Sequence, residues 1–157
     1  MEPNSKGAAD IIHVPAGQSR KPDYQLVIPS ALEKLADIEA MTERIAEVYH
    51  LSEDDRDNLA IAITELSNNA IIHGNRYEYH KKVIISFYHE NDSIRVYIKD
   101  EGGGFDPTRV DDPLQPENLM KESGRGIFIL KSLMDDVSFN ITPKGTEVMI
   151  LKKIKVA

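Results

Sequence analysis

The segment Thr64-Glu65-Leu66-Ser67-Asn68-Asn69-Ala70-Ile71-Ile72-His73-Gly74 constrains this chain more than any other. A helix turns about 100° per residue, so residues four apart share a face. Leu59, Ile63, Leu66 and Ala70 form one apolar stripe. Glu65, Asn69 and His73 form a second, with Asn58 further up the same helix. Such a helix buries one face and presents a carboxylate, a carboxamide and an imidazole on another. Ser52 marks its start, because its hydroxyl can cap the helix and the acids Glu53, Asp54 and Asp55 suit the positive end of the dipole. Gly74 is expected to end it in the left-handed conformation that glycine permits. The helix is therefore predicted over 53–73.

The other elements fall around this helix. Tyr24 to Ile28 reads as a strand stopped by Pro29. Ser30-Ala31-Leu32-Glu33 has the form of a capping box, opening a helix to about His50 with Leu32, Leu35, Ile38, Met41, Ile45 and Val48 on one face. After a polar loop, 74–80, Val83–His89 and Ser93–Lys99 alternate as a hairpin around Asn91-Asp92, with Ile94, Val96 and Ile98 inward. Gly102, Gly103 and Gly104 then interrupt the chain, and the acidic stretch 105–123, with Pro113 and Pro116, reads as a lid or binding loop. Gly124-Arg125-Gly126 opens a helix to Met134, and strands 137–141 and 146–151 flank Pro143-Lys144-Gly145. This order predicts a two-layer α+β sandwich, a mixed, mostly antiparallel sheet with helices on one face. Residues 1–23 are expected to be a flexible leader, whose Ile11-Ile12-His13-Val14 could add an edge strand or dock on a partner. The folded domain is expected over 24–152, and 153–157 is a tail.

Composition narrows the class. A length of 157 residues fits one domain, and without cysteine there is no disulfide or thiolate site. The net charge of −7 argues against an extended nucleic-acid footprint. No apolar run reaches the roughly 18–20 residues that span a bilayer, and 1–20 lacks the apolar middle of a signal peptide. The expected address is the cytoplasm, with no membrane and no direct nucleic-acid partner.

Three polar or glycine-rich elements remain to be explained together. Gly124-Arg125-Gly126 at a helix start has free N–H groups, a favourable dipole and little steric obstruction, which is the physics of an anion site. Asn69 offers a hard oxygen suited to Mg²⁺ that bridges phosphates, and Glu65 one turn away can accept a proton from a nucleophile. Asp100, at a strand end before glycine, can accept a hydrogen bond from an exocyclic amine such as that of adenine. Together they point to a Mg-nucleoside triphosphate. No G-x-x-x-x-G-K-[ST] loop is present, so the site is not of the Walker type.

These motifs resemble the GHKL, or Bergerat-fold, ATP-binding superfamily of gyrase, Hsp90, MutL and sensor histidine kinases. The resemblance is nearest to the anti-sigma-factor serine/threonine kinases of bacterial stress and sporulation control. The E-x-x-x-N-x-x-x-H-G pattern is matched by Glu65, Asn69, His73 and Gly74, and D-x-G-x-G by Asp100, Gly102 and Gly104. The post-lid G-x-G is matched by Gly124 and Gly126 before Ile127, and the late Gly-Thr by Gly145-Thr146. The resemblance implies ATP and Mg²⁺ as cofactors, with Asn69 as metal ligand and Glu65 as general base. It implies Asp100 on the adenine amine, supported by Thr146, with Gly102 and Gly104 shaping the pocket and His73 and Gly74 at its edge. Gly124, Arg125, Gly126 and Ile127 would hold phosphates beneath the lid; Arg125 stands where the family often has an apolar residue. The implied function is phosphorylation of a STAS-type anti-anti-sigma partner and sequestration of a sigma factor, as a homodimer. The alternative is a nucleotide-binding regulatory module without significant transfer. A third reading is the catalytic half of a histidine kinase, against which stand the short lid and the lack of a phospho-acceptor helix pair.

Overall fold

The computed structural model describes residues 20–102 and 126–154. Strand β1 (Tyr24–Pro29) is followed by a 3₁₀ turn (Leu32–Lys34), helix α1 (Leu35–Val48) and helix α2 (Glu53–Asn69). A π-helical turn (Ala70–Gly74) extends α2, and strands β2 (Lys82–Glu90) and β3 (Ser93–Asp100) form the hairpin. Helix α3 (Gly126–Leu133), β4 (Asp136–Thr142) and β5 (Gly145–Lys153) complete the described chain. The strands lie in the order β1-β2-β3-β5-β4, each pairing antiparallel. The element order and the antiparallel pairing match the sequence prediction. The lid 105–123 and most of the leader lie outside the described residues.

Register explains which face is buried. Val96 pairs with Phe87 and Ile150, and Ile98 with Ile85 and Val148, so these apolar side chains stand on one face. Leu59, Ile63, Leu66 and Ala70 of the α2 stripe join them in the core with Ile38 and Ile45 of α1. Burying a side chain such as Leu59 or Ile63 contributes about 1.5–3 kcal/mol, which holds α2 in one rotational setting on the sheet. Tyr97 faces away, as the alternation predicts, and meets Tyr88 and Met149 in a smaller apolar cluster on the other side.

Two helix ends differ from expectation. Ser52 caps α2 as predicted, accepting the amide of Asp55 at 3.1 Å. Ser30 caps nothing: the residue before the 3₁₀ turn is Ala31, without a side-chain cap. Buried Ser30 instead donates to the Lys81 carbonyl at 2.6 Å and accepts from Asn75 Nδ2 at 2.8 Å. The hydroxyl is taken by the end of the sheet before it can serve the helix.

At the other end of α2 the last turn widens. The Asn75 amide donates to the Ala70 carbonyl at 2.8 Å, a five-residue step. Gly74 does not adopt the expected left-handed conformation; among the described glycines only Gly145 has positive φ, 144°. The reversal falls on Arg76 and Tyr77, at φ 51° and 62°. Gly74 has a different reason to be glycine, which lies across the gap at Asp100.

Candidate functional site

Asp100 ends β3 and is only 5% exposed. Its Oδ1 accepts the amides of Gly102 at 2.9 Å and Thr146 at 3.1 Å. Three glycines from separate parts of the chain close around it. A methyl group added at Gly74 would fall on Asp100 Oδ2, and one at Gly145 on the Asp100 carbonyl oxygen. One at Gly102 would fall on the Gly74 carbonyl oxygen. Backbone and carboxylate approach here as only residues without a Cβ allow. Burial pushes the Asp100 carboxyl above its ordinary range, while the two amides and the charge of Lys81 pull it back in part.

Beside it lies a small, half-open cleft. Leu66 and Ala70, Ile98 and Val148, and Phe139 supply apolar walls; Asn69, Asp100 and Thr146 are its polar lining. The Thr146 hydroxyl is buried with no hydrogen-bond partner among the described residues. An apolar lining with a few convergent polar groups is the usual form of a small-molecule site. The buried carboxylate and the orphaned hydroxyl fit a ring that carries an amine and nitrogen acceptors on one edge.

The polar stripe of α2 runs up from this cleft. Asn69 Nδ2 donates to Glu65 Oε2 at a long 3.5 Å, and both side chains are half-buried. Asn69 Oδ1 is the ligand atom a hard cation would take. Among the described residues no group of three or more His, Cys, Asp or Glu could hold a metal alone. A Mg²⁺ on Asn69 would take its remaining ligands from phosphate and water, as Mg²⁺ commonly does. His73 is half-buried in the π turn and is not among the cleft-lining residues.

The structure thus brings Asn69, Gly74, Asp100, Gly102 and Thr146 together, with Glu65 a turn away. Gly126 and Ile127 are the first residues of α3. Gly104, Gly124 and Arg125 lie outside the described residues. Sequence reasoning missed Asn75, which is wholly buried and joins four segments at the Asp100 turn. Its only signal was an asparagine directly after His73-Gly74, in a stretch read as a polar loop. Phe139 was read only as part of a strand, and it lines the cleft.

Comparison with known proteins agrees with this geometry. The family described as histidine kinase-like ATPase domain matches residues 28–152. A Staphylococcus aureus protein named serine-protein kinase RsbW is 29% identical over 147 residues, covering 88% of this chain and 91% of its own. The anti-sigma F factor of Oceanobacillus iheyensis is 35% identical over 106 residues, covering 64% of this chain and 71% of its own. Among solved structures, the RsbU and RsbW domains of a Mycobacterium tuberculosis protein superpose with a TM-score of 0.58 at 14% identity, over 86% of this chain and 34% of that longer one. The histidine kinase domain of a blue-light-activated kinase from Erythrobacter litoralis gives 0.51 at 17% identity, over 94% and 69%. These two likenesses concern the fold.

Proposed function

The chain belongs to the histidine kinase-like ATPase domain family, and from that premise we propose that it is an ATP-dependent serine/threonine protein kinase and anti-sigma factor. The observation that carries the reading is the Asp100 turn: a buried carboxylate wrapped by Gly74, Gly102 and Gly145, beside the orphaned Thr146 hydroxyl. Asp100 accepts the adenine amine, and Thr146 supports the ring. Asn69 would hold Mg²⁺, which would neutralise phosphate charge. The matched family region, 28–152, supports one catalytic domain over 24–152. The start of α3 at Gly126 suits phosphate, with Gly124, Arg125 and Ile127 as the neighbouring candidates. Gly104 belongs to the same pocket wall as Gly102, and His73 with Gly74 to its edge.

In the transfer step a serine or threonine oxygen of the partner bonds to the γ-phosphorus. The bond to the β-bridging oxygen breaks and ADP leaves, while the hydroxyl proton passes to Glu65. Relatives named serine-protein kinase and anti-sigma F factor support a hydroxyl-bearing protein substrate and a sequestered sigma factor; the substrate proposed is a STAS-type anti-anti-sigma protein. A homodimer acting in transcription regulation in the cytoplasm belongs to the same reading. Among the described residues no helix is long and apolar enough to cross a membrane.

The test is a transfer assay with labelled Mg-ATP and the candidate partner. Label on a partner serine or threonine, lost with Glu65→Ala, is the expected result. Nucleotide binding without transfer would favour a regulatory module. Label retained by Glu65→Ala would remove Glu65 as the base.

A further inference from the structure

The geometry points to Asn75 as the positioning residue that sets the base selectivity of this site: its buried carboxamide clamps the Asp100–Gly102 turn to the start of β2 and the end of β1. The inference rests on the nucleotide-binding reading above and deepens it.

Asn75 is 0% exposed, and its side chain is tied on both sides. Its Oδ1 accepts the Glu101 amide at 2.8 Å. Its Nδ2 donates to the Lys82 carbonyl at 2.9 Å and to Ser30 Oγ at 2.8 Å. Ser30 passes the link on to the Lys81 carbonyl. Glu101 closes the loop, accepting the Lys82 amide through Oε1 at 2.8 Å. The two partner types fix which way the carboxamide faces: an N–H needs its oxygen, and a carbonyl needs its nitrogen. The main chain of Asn75 is held as well, donating to Ala70 and accepting from Glu78.

The side chains of this clamp, those of Asn75, Ser30 and Glu101, are not among the cleft-lining groups. The clamp acts at Glu101, the exposed residue between the carboxylate of Asp100 and the amide of Gly102 that the carboxylate accepts. With Glu101 pinned from outside and Oδ1 pinned from inside, the second oxygen of Asp100 has one direction. A carboxylate so aimed accepts from the amine of adenine and repels the carbonyl that guanine carries at the same place. If the turn loosens, the carboxylate can swing, and both bases are met with similar poor geometry. Reading hydrogen bonds through a fixed buried group is what gives such sites large discrimination.

The test is base selectivity by calorimetry, comparing Mg-ATP with Mg-GTP, for the wild type, Asn75→Leu and Ser30→Ala. Leucine keeps the volume and removes every polar atom of the clamp. The preference for ATP should fall about tenfold in Asn75→Leu and about two- to threefold in Ser30→Ala, the size of losing buried hydrogen bonds in part. In transfer assays KM for ATP should rise while kcat at saturation holds, because Glu65 and Asn69 lie on a part of α2 the clamp does not touch. A wild type that binds neither nucleotide overturns the nucleotide reading and this inference with it. A wild type that prefers ATP, with a folded Asn75→Leu that prefers it equally, overturns the positioning role alone. Should Asn75→Leu fail to fold, Ser30→Ala decides, and an unchanged preference there overturns the inference.

Discussion

The two ends of the cleft are built by different means. At the Asp100 end, the carboxylate is held by main chain, with two amides on one oxygen and three glycines that let the backbone close in. At the Glu65–Asn69 end, two half-buried side chains meet at a long 3.5 Å contact. The first arrangement cannot move without moving strand ends. The second can tighten when a ligand arrives, as reacting groups often do. On the proposed reading, selectivity for the base would be built into the fold, and the groups assigned to metal and proton would be left adjustable.

Substitutions can break that contrast, and the largest effect should come from Gly74→Ala. Alanine would gain about 0.5–1 kcal/mol of helical preference over glycine, but its methyl would fall on the Asp100 carboxylate. Forcing an atom into a filled interior costs about 1–3 kcal/mol, at times more, so the net loss should approach about 2 kcal/mol, with nucleotide binding lost. Urea unfolding and calorimetry read both; a stabilised variant that still binds would show that the close approach is dispensable.

Glu65→Ala should behave in the opposite way. Transfer should fall at least about 100-fold, the range of a general base, while stability moves by no more than about 0.5 kcal/mol because the side chain is half-buried and outside the core. A large stability loss in urea would blur the distinction between the two ends.

Asp100→Asn separates charge from geometry. The amide oxygen can keep both backbone contacts, and the buried charge disappears. The folded-state pKa of Asp100 lies above its ordinary value of 3.8, so ionising it costs the fold. That cost is absent below the ordinary carboxylate range, grows as pH rises through it, and is complete above the folded-state value. The variant should therefore be more stable than wild type at neutral pH, with the two curves converging as pH falls, and it should bind ATP more weakly. Urea unfolding at several pH values checks the sign; a variant less stable at neutral pH would mean that the anion itself is needed by the fold.

The smallest effect should be Ser52→Ala, remote from the cleft. Loss of its cap to the Asp55 amide should cost about 1 kcal/mol and leave nucleotide affinity unchanged. Altered affinity would mean that α2 transmits strain from its start to Asn69.

Much of this was legible in the sequence, for reasons that particular residues make plain. Leu59, Ile63, Leu66 and Ala70 carry a period that only a helix satisfies, and all are buried. The alternation of Ile94, Val96 and Ile98 gave the face of β3. Ser30 was misread because a capping box and a serine buried at a strand end share the same residues. The partner that decides between them, Asn75, lies 45 positions away. The π turn was hidden because widening one turn barely changes the spacing of apolar residues over five positions. Gly74 was placed at the right point for the wrong reason: a glycine needed for space and one needed for positive φ look alike until the neighbour across the gap is known.

Backbone amide resonances report whether the Asp100 turn receives the adenine ring. Titration with Mg-ATP should shift the amides of Gly102 and Thr146, the two groups that hold Asp100, while equal concentrations of Mg-GTP leave them nearly in place. Saturable ATP binding that leaves both amides unmoved would place the adenine ring elsewhere, and equal shifts with either nucleotide would mean that the turn does not select the base.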